Sequence, residues 1–128
     1  MLVKLLLLSA FASFPTAYAL FPAPESEIPR VGQEGVEKPV VTRKVYPKYP
    51  EAARGLGIQG WVTLQGIFRA DGRIEGLEVI RTLGRGRYGF EEAAIRAVKR
   101  WRFKPGQVNG KPSDVIVTLR INFRLKDT

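Results

Sequence analysis

Gly84-Arg85-Gly86-Arg87-Tyr88-Gly89 fits the pattern G-x-G-x-x-G. At that spacing glycines let a pyrophosphate approach the start of a helix, so the chemistry suggested is dinucleotide binding. Three features oppose it. The strand before the motif is the second arm of a hairpin, the folded unit is only about 80 residues, and no second mononucleotide half follows. The residues read better as a basic loop entering a helix, with Arg85 and Arg87 left as weak anion contacts. Glu91 and Glu92 are adjacent carboxylates of a kind that general acid–base catalysis uses, yet their place at a helix start explains them through the helix dipole. The chain has neither cysteine nor histidine. That removes disulfides, Ser/His and Cys/His nucleophile systems and nearly all zinc or transition-metal sites. The expectation is therefore no enzyme, no cofactor and no metal. The remaining chemistry belongs to the backbone, whose N–H and C=O groups recognise another chain wherever a strand is left unpaired.

The elements that would position such a strand are legible from residue 46 onward. Pro50 opens Glu51-Ala52-Ala53-Arg54, a short helix with proline at its first turn, and Gly55 or Gly57 stops it. Trp61 to Arg69 alternates, with Val62, Leu64 and Phe68 on one face and Thr63 and Gln65 on the other. Asp71-Gly72 makes a hairpin turn, because glycine tolerates the positive φ a tight turn needs. The return strand, Ile74 to Thr82, places Leu77 and Val79 on one face, while Gly66 and Gly76 inside the two strands mark bulges or close packing. Phe90 to Trp101 is an amphipathic helix, with Phe90, Ala94, Ala97, Val98 and Trp101 on one side. Pro105-Gly106 ends it, and Asn109-Gly110-Lys111-Pro112 turns into a last strand from Val115 to Leu125 that alternates throughout. The order helix, strand, strand, helix, strand predicts an α+β fold: a three-stranded sheet with one main helix on one face, a split βαβ unit with its first strand in the middle. The last strand then lies at an edge. Arg120 and Arg124 point from its solvent face, where charge blunts unwanted pairing.

Ahead of this unit, Lys4 precedes the apolar run Leu5–Phe14, followed by Pro15 and Ala17-Tyr18-Ala19. This is the layout of a secretory signal peptide cut after Ala19. Its rival is an uncleaved anchor over Leu5–Phe21, which Pro15 interrupts. Residues 20–43 carry four prolines (Pro22, Pro24, Pro29, Pro39) and mixed charge, and read as a linker that need not fold. The domain organisation expected is thus 1–19 signal peptide or anchor, 20–43 linker and 44–128 folded domain. A formal net charge of +9 favours anionic partners or simple solubility. Export makes nucleic acid an unsuitable partner.

Taken together, Pro47-x-Tyr49-Pro50, the strand start Gly60-x-Val62, Asp71-Gly72 and Trp101-Arg102-Phe103-x-Pro105 resemble the C-terminal domain of the TonB family over residues 45–125. The resemblance implies a periplasmic domain whose last strand captures the short "TonB box" of an outer-membrane receptor by strand addition, within TonB-dependent transport. It also implies a contact from the Gln-Pro-x-Tyr-Pro segment before the first helix. Carried onto this chain, the partner-binding residues are Tyr46, Pro47, Tyr49 and Pro50, with Val115, Val117, Thr118, Leu119, Arg120, Ile121, Asn122 and Phe123. Tyr46 stands where the family has glutamine, so its contact must be made by a phenol. The family's membrane helix carries a histidine that engages a proton-driven motor, followed by a long Glu-Pro/Lys-Pro linker. This chain has no histidine and a short linker, so inner-membrane motor proteins are expected partners only if the N-terminus remains as an anchor. The alternative is an exported strand-pairing or assembly module, with a homodimer as one form, that transduces no energy. The expected location is the periplasm, soluble after signal cleavage or else anchored in the inner membrane and facing the periplasm.

Overall fold

The computed structural model describes residues 28–125; the signal-peptide or anchor segment and the first part of the linker lie outside them. Three strands form the main sheet: β3 (Gly60–Phe68), β4 (Ile74–Arg81) and β8 (Val115–Phe123), in the order β4-β3-β8 with both pairings antiparallel. The first of the three in sequence is central, as the element order predicts. Two helices, α1 (Glu51–Gly55) and α2 (Phe90–Lys99), belong to the core face, and short strands β5 (Arg102–Lys104), β6 (Gln107–Val108) and β7 (Lys111–Pro112) fill the connection from α2 to β8.

The core follows from alternation. Val62 and Leu64 of β3 and Ile121 and Phe123 of β8 meet Phe90, Ala94 and Val98 of α2, and all are buried. Phe90 and Phe123 stand edge to face with centroids 4.8 Å apart, and Tyr49 meets each of them at 5.8 Å. Gly66 shares this face because Leu77 lies over it; a Cβ there would stand 2.7 Å from Leu77 Cδ2. Opposite Gly66 the return strand bulges, with Gly76 at φ +61 and a register shift between Gln65 and Ile67. The bulge sends Leu77 into the core. Val79 pairs with Leu64 and so shares a face with Leu77, as the alternation predicts, but on this outer strand it is exposed while Leu77 is partly buried.

The ends of two elements differ from their periodicity. α2 stops at Lys99, and Arg100 and Trp101 donate to Ala97 O and Val98 O in a tightened last turn. Trp101 is still buried, held by a 2.9 Å bond from its Nε1 to Val45 O. β8 ends at Phe123, where the Gln59 side chain takes over by accepting the Leu125 N–H at 2.8 Å. The turn at Asn109-Gly110 joins β6 to β7 with both residues at positive φ, as a two-residue hairpin loop requires.

Much of the segment that composition assigns to a linker is laid on the domain. β1 (Val36–Glu37) pairs β6, β2 (Val40–Arg43) pairs β5, and Arg30 forms a parallel bridge with Ile116 of β8. These pairings use backbone groups, which explains why a segment poor in buried side chains is ordered. β2 is exposed at every position. Among the described residues no helix is long and apolar enough to cross a membrane.

Candidate functional site

Val45 to Pro50 runs between α2 and the end of β8, and side chains on both sides fix it. Trp101 holds Val45 from below, as above. Tyr49 turns inward, its hydroxyl donating to Ile58 O and its ring packed on Phe90 and Phe123. Burial raises the Tyr49 phenol above its ordinary pKa, opposed by the Arg54 guanidinium, 5.1 Å over the ring. Pro47 and Pro50 restrict the backbone around it, and Pro50 sits at φ −61, ψ 130 before α1. Tyr46, by contrast, points into solvent with 81% of its surface exposed, beside the Lys44 ammonium at 5.9 Å.

Two grooves flank this segment. One lies against α2, lined by Tyr46, Pro47, Lys48, Gly89, Ala93, Arg96 and Arg100. The other joins Tyr46, Pro47, Tyr49 and Arg54 to Asn122, Phe123, Arg124 and Leu125 at the end of β8. Thus the fold brings together two sets of expected site residues that are about 70 positions apart in sequence.

The register of β8 decides which of its residues can receive another strand. Ile116 donates its N–H to Pro29 O and accepts from Val31 N–H, so both of its backbone groups point away from β3. β3 and β8 are paired one to one without a shift from Gly60↔Phe123 to Phe68↔Val115. Orientation alternates along an antiparallel strand, so Thr118, Arg120 and Asn122 also aim their N–H and C=O outward. Val115, Val117, Leu119, Ile121 and Phe123 aim theirs at β3. Of these, Val115, Ile121 and Phe123 are buried core residues that shape the edge without presenting groups on it. Ile116 belongs to the outward set although its type and burial give no sign of it; strand parity was the available signal.

On the face away from α2, Trp61 lies between two guanidinium groups, Arg81 at 4.0 Å and Arg120 at 4.5 Å from its ring centre. Arg120 is therefore drawn back over the sheet by stacking, which leaves the backbone beside it open. At the far end of β8, Asp114 accepts Ala70 N–H at 2.7 Å and Arg69 Nη1 at 3.0 Å, tying the β3–β4 hairpin to the start of the edge strand. The Ala70 N–H and then the Arg69 guanidinium hold the Asp114 carboxyl below its ordinary pKa against its own partial burial.

The glycine-rich loop is already occupied by the protein. Gly84–Gly86 forms one 3-10 turn with Arg85 at φ +57, and Tyr88 packs over it onto Phe90. Glu91 Oε2 accepts Leu83 N–H at 3.0 Å at the head of α2, where a phosphate would have to sit.

A family model described as the Gram-negative bacterial TonB protein C-terminal matches residues 45–125. Protein TonB of Vibrio cholerae is 30% identical over 92 residues, covering 71% of this chain and 37% of that protein. Protein tonB2 of Pseudomonas aeruginosa is 35% identical over 79 residues, 62% of this chain and 28% of its own length. Protein TonB of Escherichia coli is 32% identical over 82 residues, 64% and 31% respectively. This chain thus matches about a third of the length of these relatives. A solution NMR structure of the Pseudomonas aeruginosa TonB CTD superposes with a TM-score of 0.55 at 26% identity, covering 80% of this chain and 98% of that one.

Proposed function

We infer that this chain, which belongs to the Gram-negative bacterial TonB C-terminal family, works in the periplasm as a non-catalytic binding domain for TonB-dependent outer-membrane receptors. It takes the receptor's TonB box as an added strand on the outer edge of β8. The observation that carries this reading is the row of outward backbone groups at Thr118, Arg120 and Asn122, ending in the groove of Tyr46, Pro47 and Tyr49. Added backbone bonds supply affinity, and the groove discriminates among side chains at one end of the bound segment. Tyr46, exposed at the rim, contributes ring surface and a hydroxyl where the family pattern has an amide.

The test is a titration of the exported domain with a TonB-box peptide, followed by amide NMR. The expected shifts fall at Thr118, Arg120 and Asn122, with smaller ones at Tyr46 and Tyr49. Shifts confined to α2 or to the β4 edge would sink strand addition at β8. A concentration-dependent dimer that protects the Thr118, Arg120 and Asn122 amides, with no shift there on adding the peptide, would favour self-pairing on the same edge, the assembly-module alternative.

The sequence Ala17-Tyr18-Ala19 supports release of the domain after Ala19. In that form it captures receptors without transducing energy. Mass spectrometry of the native N-terminus after cell fractionation checks this. A soluble species beginning at Leu20 is expected, whereas an intact N-terminus in the inner membrane would restore the transducer reading and the motor proteins as partners.

A further inference from the structure

The outer edge of β8 is not bare along its whole length. At its first outward residue, Ile116 donates to Pro29 O at 2.8 Å and accepts from Val31 N–H at 3.1 Å, in a parallel bridge centred on Arg30. Arg30 Nη1 adds a 3.1 Å bond to Gln65 Oε1 on the solvent face of β3. The segment is then turned aside. Gln33 donates to Arg30 O at 3.2 Å, and Gly32 adopts φ +105. A Cβ on Gly32 would meet nothing within 4 Å, so glycine is there for its backbone conformation and not for space. Without that turn, Val31 would lead the chain along the edge toward Thr118.

We propose that Pro29–Val31 is an intramolecular competitor strand that limits a bound partner to the register of Thr118–Asn122. This rests on the reading of β8 as a strand-addition site. Thr118–Asn122 spans about 17 Å at about 3.4 Å per residue, so the free edge takes a partner segment of about five residues. A longer segment continuing past Thr118 must displace the strap from Ile116. Displacement is feasible because the strap's hold on this edge is one bridge and one polar side-chain bond, each a small net contribution in water. It is also local. β8 remains paired to β3 on its other side through an unbroken register. The strap therefore sets partner length and shields Ile116 from pairing with a second copy.

The test uses Val31→Pro, which removes the N–H that Ile116 O accepts, at a position outside the sheet. Two soluble peptides of alternating threonine and valine, flanked by glutamates, serve as probes; their strand-forming parts are about five and about nine residues long. In the unaltered chain, hydrogen exchange should protect the Ile116 amide and leave those of Thr118, Arg120 and Asn122 open. Val31→Pro, by loosening the whole strap and with it the Pro29 carbonyl that the Ile116 amide bonds, should open Ile116 while Val117 and Leu119 stay protected. The short peptide should bind both forms equally, and the long one should bind Val31→Pro about tenfold more tightly. Arg30→Ala, which keeps every backbone group, should move the long peptide's affinity the same way by less, and covers the case in which the proline variant misfolds. Equal affinity of the long peptide for the unaltered chain and both variants overturns the competitor role. Loss of protection at Val117 and Leu119 in a variant overturns it too, by making the strap part of the sheet's own stability. Failure of both peptides on every form removes the strand-addition reading itself, and the competitor role with it.

Discussion

Asp114 occupies the residue before β8 and ties that strand's start to the β3–β4 hairpin through Ala70 and Arg69. Its carboxyl is held below the ordinary value, first by the Ala70 N–H and then by Arg69. A group whose pKa is depressed in the folded state contributes stability above its unfolded pKa and loses it as pH falls through the folded value. Acid unfolding should therefore steepen below about pH 4, and Asp114→Asn should flatten that limb while leaving the neutral-pH fold intact. Thermal melts across pH check this; identical acid limbs in both proteins would assign the clamp no role. Asp71 shifts the same way, led by the Arg73 backbone N–H, but it is solvent-exposed and screened. Residue chemistry was the most legible scale. The absence of histidine and cysteine removed most catalytic classes at once. The carboxylate of Glu91 was assigned to the start of α2, where it caps the Leu83 N–H.

At the scale of elements, the parity of β8 separates two kinds of residue that composition treats alike. Thr118→Pro removes an outward N–H and should leave the β3 ladder whole, so it should abolish strand addition at a small cost in stability. Leu119→Pro removes a ladder donor beside the core and should destabilise the domain by more than about 1–3 kcal/mol. Paired thermal melts and peptide titrations check the contrast; equal destabilisation by the two would overturn the outward orientation of Thr118. The three long strands and the main helix were readable because each buries one face, and burial imposes a period on the sequence. The five short strands β1, β2, β5, β6 and β7 were not readable. They are two to four residues long, and β2 is exposed throughout. Backbone pairing leaves almost no trace in side-chain type. The bulge at Gly76 was announced only by the glycine itself.

For the whole molecule, the decisive fact is that the segment from Arg30 to Arg43 wraps the β5–β8 end and returns through Val45–Pro50 to the far end of β8. Composition could place Pro47, Tyr49 and Pro50 before a helix, but not beside Phe123, because that proximity depends on the wrap. Gly106 lies at its tightest point. A Cβ there would stand 2.6 Å from Glu37 O and 3.0 Å from Val115 Cγ2, and the nearer atom is backbone that cannot swing away. Gly106→Ala should cost about 1–3 kcal/mol and raise hydrogen exchange at Glu37 and Gln107 before it reaches the β3–β8 ladder. An unchanged melting curve would mean that the wrap has slack. The placement of the strap also has a mechanical consequence. Pro29, near the start of the described residues, lies beside Ile116, and a captured segment would occupy Thr118–Asn122 of the same strand. Were the N-terminus kept as an anchor, tension between the two would be carried lengthwise through β8. Interstrand bonds loaded in that direction share the force as shear and must yield together, whereas bonds opened from one end fail singly, as in a zipper.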